Sequence, residues 1–139
     1  MDFLIVDTGV WYALFDSRDS NYRQAEEKAD LLNSLDIVVP WPTMYETLRT
    51  RFVRNIAALR QFERFLKSPN VQFLDDQGFR ASAFELSLDS SLHKARPLSM
   101  VDCLIRLMID DTNTNIRYLA TFNVSDFFDV CARNRVEII

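Results

Sequence analysis

The chain alternates between short, nearly continuous apolar runs and longer stretches in which apolar residues recur at helical spacing. The short runs lie at residues 3–6, 37–39, 71–74, 118–120 and 136–139 and read as strands. Most of them lack a strict apolar–polar alternation, as expected of strands covered on both faces of a parallel sheet. Helical spacing fills the intervals at residues 21–35, 44–52, 56–66, 79–93 and 100–109. Segments 44–52 and 56–66 read as two helices or one bent hairpin. Segment 100–109 is apolar at 100, 101, 104, 105, 107, 108 and 109, which predicts a central helix closed by Asp110 and Asp111. Strand–helix–strand alternation predicts an α/β fold with a mainly parallel sheet.

Composition narrows this picture. A length of 139 residues, without internal repeat or linker-like stretch, predicts one domain over 1–139. Eleven Phe point to a core of large side chains. No run is long enough for a membrane span, and the apolar run at 3–6 is too short for a secretory leader. The lone pair Cys103 and Cys131 makes neither a disulfide framework nor a zinc site, so a reducing, cytoplasmic compartment is expected. A net charge of −4 argues against nucleic-acid binding by bulk electrostatics. It leaves room for a nuclease whose own site is acidic. His93 is the only histidine, which excludes a two-histidine ribonuclease within one chain. Gly9 and Gly78 are the only glycines, which excludes a P-loop and a dinucleotide fingerprint.

The chemistry that remains is carboxylate chemistry. Asp7 ends the first strand, Glu46 follows the second, Asp102 opens the central helix and Asp126 follows the fourth strand. Each has an ordinary explanation as a helix-start residue. Thr43-x-x-Glu46 and Ser99-x-x-Asp102 match the capping box, and Asn123-x-x-Asp126 is a similar start. As a set they share an edge. Asp7 and the Asn123/Asp126 turn follow carboxyl ends of strands, where open α/β sheets build their sites. A right-handed crossover brings the start of the Glu46 helix to the same edge. Asp102 joins them if its helix runs antiparallel to the strands. Clustered carboxylates raise one another's pKa, and a hard divalent cation such as Mg²⁺ or Mn²⁺ relieves that penalty. Spacing alone does not show that the four acids meet.

Four segments carry a family resemblance: Ile5-Val6-Asp7-Thr8, Tyr45-Glu46-Thr47-Leu48, Leu98 to Ile105 around Asp102, and Leu119 to Phe127 around Asn123 and Asp126. With them the chain resembles PIN domains over essentially its whole length, and more narrowly the VapC-type toxins of toxin–antitoxin pairs. The resemblance implies a three-layer α/β/α sandwich around a five-stranded parallel sheet. It implies that Asp7 and Asp102 bind Mg²⁺ or Mn²⁺ most directly, with Glu46 as a further ligand or as orienter of the attacking water. At the fourth position Asn123 stands where many relatives have Asp, so a neutral oxygen replaces a charge or the role passes to Asp126. Thr121 is expected to hydrogen-bond within the acidic pocket and Thr8 to help position phosphate or metal-bound water, while Gly9 replaces a frequent Ser or Asn. The implied activity is endonucleolytic hydrolysis of RNA, with an antitoxin protein as partner and homodimers common. The alternative is a PIN fold that has lost catalysis and only docks RNA or protein, a reading that Asn123 favours. A phosphatase or receiver-like domain built on Asp7 lacks the second Asp that such phosphatases carry at the place of Gly9.

Other features have two readings each. Arg49, Arg51, Arg54, Arg60 and Arg64, interleaved with Phe52, Phe62 and Phe65, read either as an RNA-backbone track or as a solvated helical face over an apolar one. The solvated face is preferred for most of the run, with Arg49 and Arg51 the candidates for RNA contact. Arg106, one turn after Asp102, is expected to pair with that carboxylate or to form a simple helix pair. Trp41 is a candidate for base stacking, Trp11 for the core and His93 for a helix end.

Overall fold

The computed structural model describes residues 2–139. Five parallel strands, β1 (Phe3–Val6), β2 (Asp36–Pro40), β3 (Val71–Leu74), β4 (Ile116–Ala120) and β5 (Glu137–Ile138), form one sheet in the order β3-β2-β1-β4-β5. The chain therefore winds outward from β1 in one direction and then restarts beside it with β4. Helices α1 (Thr8–Phe15), α2 (Tyr22–Glu27), α3 (Ala29–Ser34), α4 (Trp41–Thr47), α5 (Thr50–Val53), α6 (Ile56–Leu66), α7 (Arg80–Leu92), α8 (Met100–Asp110) and α9 (Val124–Asn134) make the connections.

Alternation along the central strands sorts side chains into two cores. Leu4, Val6, Ile37 and Val39 face one side, where Trp11, Leu32 and Phe62 from α1, α3 and α6 meet them. Ile5, Val38 and Leu119 face the other, against Ile105 and Met108 of α8 and Phe127 and Val130 of α9. This is the three-layer α/β/α arrangement. A smaller cluster of Ala83, Leu98, Cys103 and Leu104 seats α7 on α8. Both cysteines are buried and unbonded, Cys131 in the second core and Cys103 under α7. Among the described residues no helix is long and apolar enough to cross a membrane.

Three elements differ from the sequence expectation. Segment 21–35 is two helices, because the Lys28 N–H bonds back three residues to the Ala25 carbonyl and tightens the turn, while its ammonium sits 5.8 Å over the Phe122 ring. Segment 44–52 is split between two helices: α4 starts at Trp41, directly after β2, and ends at Thr47, and α5 follows from Thr50. Pro42 in its first turn explains the early start, since a missing N–H there breaks no bond. Glu46 accordingly lies in the last turn of α4 rather than at its opening. The last strand is reduced from 136–139 to two residues.

Candidate active site

Strand order reverses between β1 and β4, so their carboxyl ends flank the crevice that this topology reserves for ligands. Val6 pairs with Ala120 in register, which sets Asp7 beside Thr121. Asp7 is 5% exposed and both its oxygens are held. As N-cap of α1 it accepts the Thr8 N–H at 2.9 Å on Oδ1, and the Thr121 hydroxyl donates to Oδ2 at 2.9 Å. The Thr121 oxygen in turn accepts the Asn123 N–H at 3.0 Å. Burial pushes the Asp7 carboxyl above its ordinary pKa, against the lowering effect of Thr121 and Thr8, and the charge of Asp126 adds to the rise.

Asp102 reaches the same crevice from α8. The Ser99 side chain caps that helix by accepting the Asp102 N–H at 3.1 Å. The carboxyl is pushed up to about 6 by burial first, then by the negative charge of Asp7, with Asp126 and Glu46 adding to the rise and Ser99 opposing it. Asp102 thus lies within electrostatic reach of all three other acids. Neither Asp7 nor Asp102 is shifted by any basic side chain. Glu46 is exposed and accepts the Thr8 hydroxyl at 2.9 Å on Oε1, one residue from Asp7. Among the described residues no three acidic, histidine or cysteine side chains converge into a ready-made metal cage.

The helix-start readings fare unevenly. Ser99 and Asp7 are real caps. Thr43-x-x-Glu46 is not a capping box: Thr43 is buried inside α4 and its hydroxyl donates to the Pro40 carbonyl at 2.7 Å, while Glu46 turns to Thr8. Asn123 holds the N-cap position of α9 without a side-chain cap bond, and its exposed amide stays at the crevice mouth. Asp126 sits in the first turn of α9.

Arg106 is the clearest correction. It does not pair with Asp102 but crosses to α9, where its guanidinium forks onto Asp129 with both bonds at 2.7 Å and donates to the Asp126 carbonyl at 2.8 Å. Arg96 completes the group, donating to Asp129 and to the Ser125 carbonyl at 3.2 Å. These two cations hold the Asp129 carboxyl far below the usual carboxylate range. Sequence reasoning missed both Arg96 and Asp129. The signal was faint: Asp129 is three residues after Asp126 and so shares its helical face.

Tyr12 was also missed, although its place one turn after Thr8 pointed to the same face. Its hydroxyl donates to the carbonyls of Glu46 and of Thr47, the latter at 3.2 Å, and Arg49 lies 4.8 Å over its ring. Arg49 is thereby connected to the acids through Tyr12 and Glu46, and Arg51 lines the cleft beyond it. Trp41 is 45% exposed and stacks on Phe73 of the edge strand at 4.3 Å. Trp11 is fully buried in the first core, and His93 occupies the C-cap of α7.

Comparison with known proteins bears on the fold and the family. The chain is similar in structure to VapC20 of Mycobacterium tuberculosis, a sarcin–ricin loop cleaving toxin, with a TM-score of 0.68 over 91% of this chain and 94% of that one at 20% identity. At that identity the likeness speaks for the fold. No curated protein matches the chain. The family model of the PIN domain matches residues 4–129, and by this match the chain belongs to the PIN-domain family.

Proposed function

We propose that this protein is a divalent-metal-dependent endoribonuclease, the toxin of a toxin–antitoxin pair, acting on RNA and restrained by an antitoxin protein. One observation carries the reading. At the strand-order reversal Asp102 feels the charges of Asp7, Asp126 and Glu46, Asp7 feels that of Asp126, and no basic side chain relieves the two buried ones. A structural role would call for a counter-charge, as Asp129 has. A site that exchanges a cation leaves that place to the ion.

The donor set fits Mg²⁺ or Mn²⁺. Both are hard cations that take oxygen ligands, and Mg²⁺ in particular is held by one or two carboxylates while keeping several waters, so a closed cage is not needed. Asp7 and Asp102 would hold the ion, with Asn123 and Asp126 bordering it. Such an ion supplies Lewis-acid polarisation of the phosphodiester and charge neutralisation on the leaving oxygen. The protein's own part is to orient and to accept protons. Thr121 and the Thr8 N–H fix the rotamer of Asp7, so its charge is aimed before substrate arrives. The Thr8 hydroxyl occupies Glu46 Oε1 and leaves Oε2 to take a proton from the attacking water. Water adds to phosphorus, the bond to the ribose 3′-oxygen breaks, and that oxygen leaves.

The test is cleavage of a labelled RNA by purified protein with Mg²⁺, with Mn²⁺ and with EDTA. Activity that needs the ion and vanishes in Asp7→Asn and Asp102→Asn supports the reading. Full cleavage by both variants overturns it. The neutral Asn123 favours the second reading, a non-catalytic module, and calorimetry separates the two: absence of heat on titrating millimolar Mn²⁺ would select the module.

A further inference from the structure

An acidic site presents a problem for a polyanionic substrate, because the carboxylates repel the phosphates flanking the bond to be cut. The molecule carries a compensating surface next to the site. A cleft of about 120 Å³ lies against Tyr12, Arg49 and Phe52, with Asp16, Arg18 and Arg51 on its walls. It continues into a wider cleft of about 750 Å³, since Arg18 and Arg51 line both. The wider cleft adds Thr50, Arg54 and Asn55 and has no acid in its lining. In a chain of net charge −4, this is a concentrated cationic surface.

The arginines are available. Arg18 is bound at 3.1 Å to Asp16, but among the described residues Arg49, Arg51 and Arg54 enter no ion pair. Arg80, Arg96, Arg106 and Arg133 are engaged with carboxylates, whereas Arg23, Arg60, Arg64 and Arg135 are likewise unpaired among the described residues but line neither cleft. The surface also has a direction. From Asp7 it passes through Thr8 to Glu46, through the Glu46 carbonyl to Tyr12 and its stacked Arg49, and then along Arg51 and Arg18 to Arg54. These bonds connect the carboxyl cluster to the inner end of the cationic cleft.

We infer that Arg18, Arg51 and Arg54 form a track for the phosphodiester backbone of single-stranded RNA on one side of the bond to be cleaved. The inference rests on the ribonuclease reading above and adds where the strand runs. Guanidinium groups fork onto phosphate oxygens, and a cleft open along its length suits a chain of phosphates better than one ion. The Thr50 hydroxyl at the wall is a further donor. Arg54 thus moves from the solvated face that the sequence suggested to the far end of the track. An acidic protein tail is the competing occupant. Guanidinium groups fork onto carboxylates as well as phosphates, so RNA is favoured instead by the connection of the cationic cleft through Tyr12 and Glu46 to the carboxyl cluster, where a phosphodiester is the reacting group.

The test measures binding without cleavage. Anisotropy of a fluorescent single-stranded 12-mer RNA is followed with the Asp7→Asn protein in EDTA, across a salt series. Adding Arg51→Gln/Arg54→Gln weakens binding about tenfold and lowers the slope of log K against log salt by about 1.4, the value for two phosphate contacts on a single strand. Arg60→Gln/Arg64→Gln makes the same charge change on a neighbouring helix and leaves affinity within about twofold. Equal loss in both pairs, or none in the first, overturns the track. Tighter binding of a fluorescent 12-residue poly-glutamate than of RNA, lost in Arg51→Gln/Arg54→Gln, overturns it in favour of a protein tail. RNA binding that depends on these arginines in a protein without metal-dependent cleavage would sink the nuclease reading and leave the track standing.

Discussion

On helices α8 and α9, Asp102 and Asp126 lie at one level and Arg106 and Asp129 about one turn further along, and the two levels behave oppositely. At the crevice, Asp102 and Asp126 face other acids, and Asp102 is driven up to about 6. Deeper along the same helices, Arg106 and Asp129 are locked together with Arg96, and Arg106 is only 10% exposed at its side chain. The lower level joins the helices, and its bonds to the Ser125 and Asp126 carbonyls fix the first turn of α9. The upper level accepts repulsion. The same pair of elements thus separates a closed ion network from an open one, and the open one lies where the sheet topology expects a ligand.

The contrast can be broken by substitution. Asp7→Asn or Asp102→Asn should cut metal-dependent RNA cleavage about a thousandfold, the scale of several kcal/mol of charge stabilisation, with the far-ultraviolet spectrum unchanged. Asp129→Ala should do the reverse in kind. It strands a buried guanidinium and should cost about 2–3 kcal/mol in urea unfolding, less than a fully buried pair because Asp129 is 43% exposed at its side chain. If Asp102→Asn destabilises as much as Asp129→Ala, the two levels are not different and the comparison fails.

Acidity sharpens the same contrast. The folded state raises the pKa of Asp102 above its unfolded value, so it binds the proton more tightly than the unfolded chain does. That contribution to stability is fully present below about 4 and is lost as pH rises through about 6. Asp129 has the opposite sign: its depressed pKa gives stability above about 4, lost as pH falls further into the acid range. Metal-free protein should therefore melt about 3 °C lower at pH 7.5 than at pH 5 relative to Asp102→Asn, and Mn²⁺ should restore the difference at pH 7.5. Equal pH profiles for the two proteins would remove the open level from the account. The smallest effect is that of Tyr12→Phe, which should cost about 1 kcal/mol through the lost bonds to the Glu46 and Thr47 carbonyls and should weaken RNA binding slightly as Arg49 loosens.

What the sequence could disclose follows from how local each feature is. Strands β1 to β4 are carried by their own apolar runs, and Ser99 caps α8 through bonds three residues long, so these were legible. The Thr43 pattern sets Glu46 at the opening of its helix, whereas the helix starts at Trp41 with Pro42 in its first turn, and only the path of the chain leaving β2 decides between them. The partner of Arg106 was illegible for a different reason. Asp129 lies 23 residues further on another helix, and which helix packs beside α8 depends on the insertion of β4 next to β1. The same insertion brings Thr121 onto Asp7 across 114 positions of sequence. Motif resemblance anticipated that meeting, but periodicity did not contain it.

The two thiols offer a use of the fold that has nothing to do with its chemistry. Burial pushes Cys131 up to about 11 and raises Cys103 as well, so neither reacts with an alkylating agent until its surroundings part. They lie in different clusters, Cys103 beneath α7 and Cys131 between α9 and the sheet. Their separate labelling rates therefore act as two clocks within one molecule, one timing the lifting of α7 and the other the release of α9.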